Sequence, residues 1–201
     1  MTRNILLPLM LVMISGCVGI SSIRYSQATP ESGAAVTLVQ EKYVGEMYVV
    51  NDLAYHVYPV NSVRKDLMLF PFPFPTSSPT KGSSPFVVGI ALKADSIGYS
   101  FEPARVEYLN ANAQRIQPVR IQGPFPCNSQ KAPPAWRPAN EVVEQLPKAC
   151  VYMWLEFETT PPDPATPFFV RVAGVHSAVG DVMLPALHFE EGTRNETFSV
   201  P

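Results

Sequence analysis

Three histidines, two closely spaced carboxylate pairs and three cysteines are the side chains through which this chain could do chemistry. His56, His176 and His188 could hold zinc or copper if the fold brought them together, since imidazole suits both metals. Each stands alone in its segment, however, and the plainer reading places them at strand ends or on polar faces. Glu156 and Glu158 lie two residues apart, which on a strand puts both carboxylates on one face about 7 Å from each other. That separation would suit a hydrolase pair in a cleft. Their alternation with Tyr152 and Trp154 favours a solvated outer face instead. Glu190 and Glu191 are adjacent, so a continuing strand sends them to opposite sides. The chain has no Gly-x-Ser-x-Gly elbow, no phosphate-cradling glycine loop and no His-Glu-x-x-His. We therefore expect no catalytic residue, no metal and no cofactor. A hydrolase and a small-ligand or metal-binding protein remain the alternatives to a non-enzymatic role.

The cysteines point to a compartment. A lone basic residue, Arg3, precedes an apolar run from Ile5 to Ile14, and Ser15-Gly16-Cys17 follows, which is the build of a secretory signal peptide. Ile14-Ser15-Gly16-Cys17 resembles the lipobox of bacterial lipoproteins. The resemblance implies cleavage after Gly16 and diacylation of the Cys17 thiol with chains such as palmitate, often with acylation of the new amino group. Each buried methylene contributes about 0.8 kcal/mol, so two or three chains anchor a protein stably where one does not. Val18 in place of an aspartate favours the outer membrane within that family, with the domain facing the periplasm. An uncleaved membrane helix would need about 20 mostly apolar residues. A span reaching Ile20 and Ile23 would have to carry Pro8, Ser15, Gly16, Gly19, Ser21 and Ser22. A cleaved soluble protein is the third possibility.

With Cys17 taken by lipid, Cys127 and Cys150 remain as an even pair in an oxidising periplasm, and we expect a disulfide. A loop of about 24 residues closed in this way is worth roughly 3.5 kcal/mol on the chain-entropy estimate. Two free thiols or half of a metal site are the alternatives. Net charge is −2, becoming −3 once a leader carrying Arg3 is lost. The clustered positive charge that nucleic acid would require is missing.

The chain holds 22 prolines, more than twice the usual share. Proline is poorly tolerated inside helices, so short strands and extended connections are expected. Residues 17–33 are small and polar and read as a flexible tether with a reach of about 22 Å. Residues 34–201 read as a single domain, long enough for a substantial core. Within it, Leu53–Val60, Phe86–Ala94, Tyr99–Asn110, Gln114–Gln122, Val151–Thr159, Phe168–Val175 and Asp181–Phe189 carry strand patterns. Val36, Leu38 and Met47–Val50 suggest opening strands, and Thr197–Val200 a last edge strand. Asn110-Ala111-Asn112 suits a hairpin turn, and Asn140 could cap a short helix over Glu141–Leu146 that Pro147 stops. Phe101-Glu102-Pro103, followed by Val106 and Tyr108, resembles strand pairs of bacterial immunoglobulin-like envelope domains. The expected fold is all-β: an antiparallel, immunoglobulin-like β-sandwich with one short helix in a proline-rich loop. A partly open barrel is the second choice.

Two surfaces could carry a function. Phe70, Phe72 and Phe74 alternate with prolines, and proline has no amide donor, so this run should avoid central strands and take an extended form. Its rings could close one end of the core, or form an apolar ridge for a partner protein or lipid headgroups. Trp136 and Arg137, near the middle of the Cys127–Cys150 loop, are favoured interface anchor types, although Trp136 could equally pack on the sheet. The function these features suggest is a membrane-anchored envelope lipoprotein that binds or assembles a protein partner without catalysis.

Overall fold

The computed structural model describes residues 17–68, 74–75, 84–141 and 143–200. In chain order the strands begin with β1 Cys17–Pro30, β2 Thr37–Glu41, β3 Gly45–Val50, β4 Leu53–Pro59, β5 Val63–Met68 and β6 Phe74–Pro75. They continue with β7 Phe86–Ala94, β8 Tyr99–Phe101, β9 Glu107–Leu109, β10 Arg115–Ile116, β11 Arg120–Pro126 and β12 Arg137–Pro138. The last six are β13 Glu144–Leu146, β14 Val151–Phe157, β15 Phe168–Arg171, β16 Val175–Ser177, β17 Gly180–Asp181 and β18 Leu187–Val200. Two seven-stranded sheets run β10-β9-β15-β18-β1-β5-β6 and β12-β11-β14-β7-β4-β3-β2. A smaller sheet runs β13-β8-β16-β17, and every pairing is antiparallel. The expected antiparallel β-sandwich is the fold observed.

Alternation explains the core. In β14, Val151, Met153, Leu155 and Phe157 are buried, and β7 sends Phe86, Val88, Ile90 and Leu92 to the same interior. Aromatic rings from both large sheets meet there. Phe86 lies 5.1 Å from Tyr108 and 6.1 Å from Phe168, in edge-on contacts, and Phe168 stacks on Phe189 at 4.8 Å. Such pairs add about 0.5–1.5 kcal/mol beyond the area they bury. The outer face of β7 is covered as well: Ala91 is fully buried, and a Cβ built on Gly89 would overlap the Tyr152 hydroxyl. Tyr152 in turn packs against Phe125 and Trp154.

Turn chemistry is local and behaves as its residues dictate. Asn110 accepts from the amides of Asn112 and Gln114, both at 3.0 Å, closing the β9–β10 hairpin. Asp52, in the β3–β4 turn, accepts from the hydroxyls of Ser96, at 2.5 Å, and Tyr99, and these bonds hold its carboxyl below its ordinary pKa.

Four expectations need correction. Residues 17–30 are not a tether: they form β1, paired residue for residue with β18 from Cys17↔Val200 to Pro30↔Leu187. Serines made the segment look like linker, yet Ser21 is fully buried, donating to Asp66 at 2.6 Å and accepting from Arg64 at 2.7 Å. Thr197–Val200 is accordingly the end of the long strand β18 rather than a separate edge strand. The helix over Glu141–Leu146 is absent from the described residues. One 3-10 turn, Ala139–Glu141, is followed by β13, whose Glu144–Leu146 pairs with β8. A neighbouring strand edge outcompetes a helix too short to be stable alone. Finally, Tyr99–Asn110 is two strands in different sheets, because Pro103 starts a 3-10 turn between them.

Candidate functional site

One end of the first sheet brings Cys17 and Phe74 near each other. Cys17 is the first residue of β1, Gly19 pairs with Met68 of β5, and Met68 pairs with Phe74 of β6. With neighbouring strands about 4.8 Å apart, the Phe74 backbone lies about 10 Å across the sheet from Gly19. β6 is the outermost strand, the position at which a sheet accepts Pro75. Phe70 and Phe72 fall outside the described residues. Among the described residues no helix is long and apolar enough to cross a membrane.

The disulfide joins Cys127 and Cys150, with Cα atoms 5.4 Å apart. It continues the β11–β14 ladder one step past Pro126↔Val151, and the Cys127 amide donates to the Cys150 carbonyl at 3.0 Å. Within the stapled loop, Trp136 is half-buried under the Arg120 guanidinium, 5.6 Å from the ring centroid. Arg120 also donates twice to Glu156, at 2.8 and 2.7 Å. Arg137 donates to the Gly123 carbonyl and, at 2.6 Å, to Glu144. Trp136 and Arg137 are thus both engaged, holding the loop to β11 and tying β12 to β13 within it.

These contacts also separate the carboxylates. Glu156 is 6% exposed beneath Arg120, whereas Glu158 is exposed. The solvated outer face expected for both holds only for Glu158. The histidines are divided among the three sheets. His176 lies 2.7 Å from Asp181 and 3.0 Å from Glu102, His188 stacks on Phe169 at 4.5 Å, and His56 is on β4. Among the described residues no group of three His, Cys, Asp or Glu side chains is arranged to hold a metal ion.

What sequence reasoning missed is a groove of about 250 Å³ between β1 and β4. Its origin is a break in pairing: β3 and β4 are joined only at Tyr48↔Tyr55, Val49↔Ala54 and Val50↔Leu53, while β4 continues beside β7 to Pro59. The unaccompanied stretch His56–Pro59 forms one wall, and β1 supplies the other with Tyr25 and Ser26. Tyr48 also lines it, fixed by donation from its hydroxyl to the Ala28 carbonyl at 2.9 Å. Burial raises the Tyr48 pKa, and the phenol keeps its proton.

Two polar groups of the groove, His56 and Ser26, have defined roles. His56 Nδ1 lies 2.8 Å from the Glu46 carbonyl oxygen. A carbonyl can only accept, so Nδ1 carries the proton and Nε2 is left to accept. Burial lowers the His56 pKa, favouring this neutral form. Asn61, 2% exposed, donates from Nδ2 to Ser26 Oγ at 2.7 Å and to the Pro162 carbonyl at 3.2 Å. The Pro162 contact fixes which end of the amide is nitrogen. Ser26 therefore accepts from Asn61 and retains its own proton to donate.

The outward alternation of His56 and Tyr58 along β4 was legible in the sequence. The opposite wall was not, because it lies in the segment that reads as linker. No family model matches the chain, and neither the curated proteins nor the solved structures searched give a match.

Proposed function

We propose that this chain is a bacterial envelope lipoprotein, acylated at Cys17 and held at the outer membrane. Its domain faces the periplasm and acts without catalysis as a protein-binding or assembly factor. The observation that carries the reading is a coincidence at one residue. Cys17, which closes the Ile14-Ser15-Gly16-Cys17 pattern, lies in β1 at the same end of the sheet as the β5–β6 edge that bears Phe74. Acyl chains on Cys17 would leave the protein there, with the β6 edge two strands away in the same sheet as the docking element. The Cys127–Cys150 disulfide is in keeping with an oxidising compartment.

The test is metabolic labelling with palmitate followed by crosslinking in intact envelopes. Label should enter the wild type and be lost in Cys17→Ser, with the protein leaving the membrane fraction. An unlabelled wild type overturns the anchor. A stoichiometric protein partner should be recovered with the wild type and lost in the Phe72→Ser/Phe74→Ser double variant. Recovery of the protein alone overturns the assembly role.

A further inference from the structure

The groove between β1 and β4 plays no part in that reading, and it has the construction of a ligand site. We propose that it binds a neutral saccharide, with a sugar ring lying against the exposed Tyr58. The proposal concerns the folded domain and does not depend on acylation at Cys17.

Four features select this ligand class. First, the walls are aromatic. Tyr25, Tyr48 and Tyr58 line the groove, and Tyr58 is 47% exposed, so ring surface is presented to solvent. The C–H faces of a pyranose are apolar and pack on such rings, as amphipathic aromatic bodies allow. Secondly, the polar groups are matched as one donor and one acceptor. The Ser26 hydroxyl, positioned by buried Asn61, has a proton to give, and His56 Nε2 has a lone pair, since Nδ1 is committed to Glu46. A sugar hydroxyl both donates and accepts, so neighbouring hydroxyls satisfy both groups.

Thirdly, charge is balanced. Glu46 and Arg194 both border the groove. Arg194 already faces Glu196 at 3.1 Å and lies over the Tyr25 ring, 6.0 Å from its centroid. An anionic ligand would find no unpaired cation here. Fourthly, an extended peptide is disfavoured. The unaccompanied part of β4 is four residues, His56–Pro59, and ends in a proline that has no amide to donate to an added strand. A groove of about 250 Å³ closed in this way suits a short oligosaccharide segment. Pockets lined by aromatic surface with a few placed polar groups are the usual form of small-molecule sites.

The experiment is isothermal titration of the full-length protein in detergent micelles with chitotetraose, cellotetraose and maltotetraose, one of which should bind with a Kd of about 1 mM or tighter. Tyr58→Ala, which removes an exposed ring, and Ser26→Ala, which removes only a hydroxyl, should each weaken that binding by about tenfold or more. Their circular dichroism spectra should remain those of the wild type. Asn61→Ala should act as a positioning change, weakening binding less than Ser26→Ala. Absence of heat with all three sugars overturns the proposal. So does binding that Tyr58→Ala and Ser26→Ala leave unchanged, since the sugar would then sit elsewhere. Either result leaves palmitate labelling at Cys17 unaffected, so failure of the groove and failure of the anchor are told apart.

Discussion

At His56 the backbone decides the state of a side chain. The Glu46 carbonyl fixes the proton on Nδ1, and burial disfavours the imidazolium. In the unfolded chain the same residue would titrate near 6.5. Between that value and the lowered folded one, the unfolded state holds more protons, so stability rises with pH. It is therefore lost as pH falls below about 6.5, with a slope of at most about 1.4 kcal/mol per pH unit from this group. His56→Gln can keep a donor for the Glu46 carbonyl but cannot titrate. Urea unfolding at a series of pH values between 5 and 7.5 should show a shallower dependence for the variant. His176 and His188 are common to both proteins and cancel in the comparison. Equal slopes would mean that His56 is not held neutral by the fold. Glu156 makes the complementary point: its neighbours in sequence imply an outer face, but a bidentate Arg120 allows it to be buried there.

Strands here succeed or fail by their partners. β7 and β14 are read correctly from alternation because each is flanked on both sides by long strands and sends a full row of apolar residues inward. β13 is read wrongly as helix because its three residues have little preference of their own and take their form from β8. The disulfide belongs to this scale as well. Cys127 and Cys150 close the β11–β14 ladder at its end and confine a loop that includes β12 and β13. Cys127→Ser/Cys150→Ser should lower stability by roughly 2–4 kcal/mol, read from the urea midpoint with the slope used to check for an altered denatured state. A loss below about 0.5 kcal/mol would show that Arg137, through Gly123 and Glu144, holds the loop unaided.

For the whole molecule, the decisive feature is the ribbon of β1 and β18. Fourteen residues of each strand pair without a break, a length of about 46 Å. One end lies in the core, where β18 supplies Leu187 and Phe189. The other carries Cys17 and Val200. An anchor at Cys17 would thus be joined to the domain by sheet rather than by free chain, which fixes orientation where a tether would not. Ile23 tests this, being 7% exposed in β1 between Arg64 and Arg194. Ile23→Ala should cost about 2–4 kcal/mol in urea unfolding of the full-length protein in detergent, whereas a residue of a solvated tether would cost almost nothing.

The sequence by itself determined the chemistry of each segment: strand-forming alternation in β4, β7 and β14, the Asn110 turn, the cysteine pair, and the proline content that favoured an all-β sandwich. These depend on residues close together in the chain, or on residue type alone. The tertiary structure decided everything that depends on distant partners. It made residues 17–30 a strand, because the matching edge comes from residues 187–200. It dispersed the histidines over three sheets, and it opened the groove where β3 leaves β4 and β1 passes by. The physical reason is that hydrogen bonding satisfies a backbone whatever the sequence separation, and a small polar residue such as Ser21 or Ser26 can be buried wherever a distant side chain meets its hydroxyl.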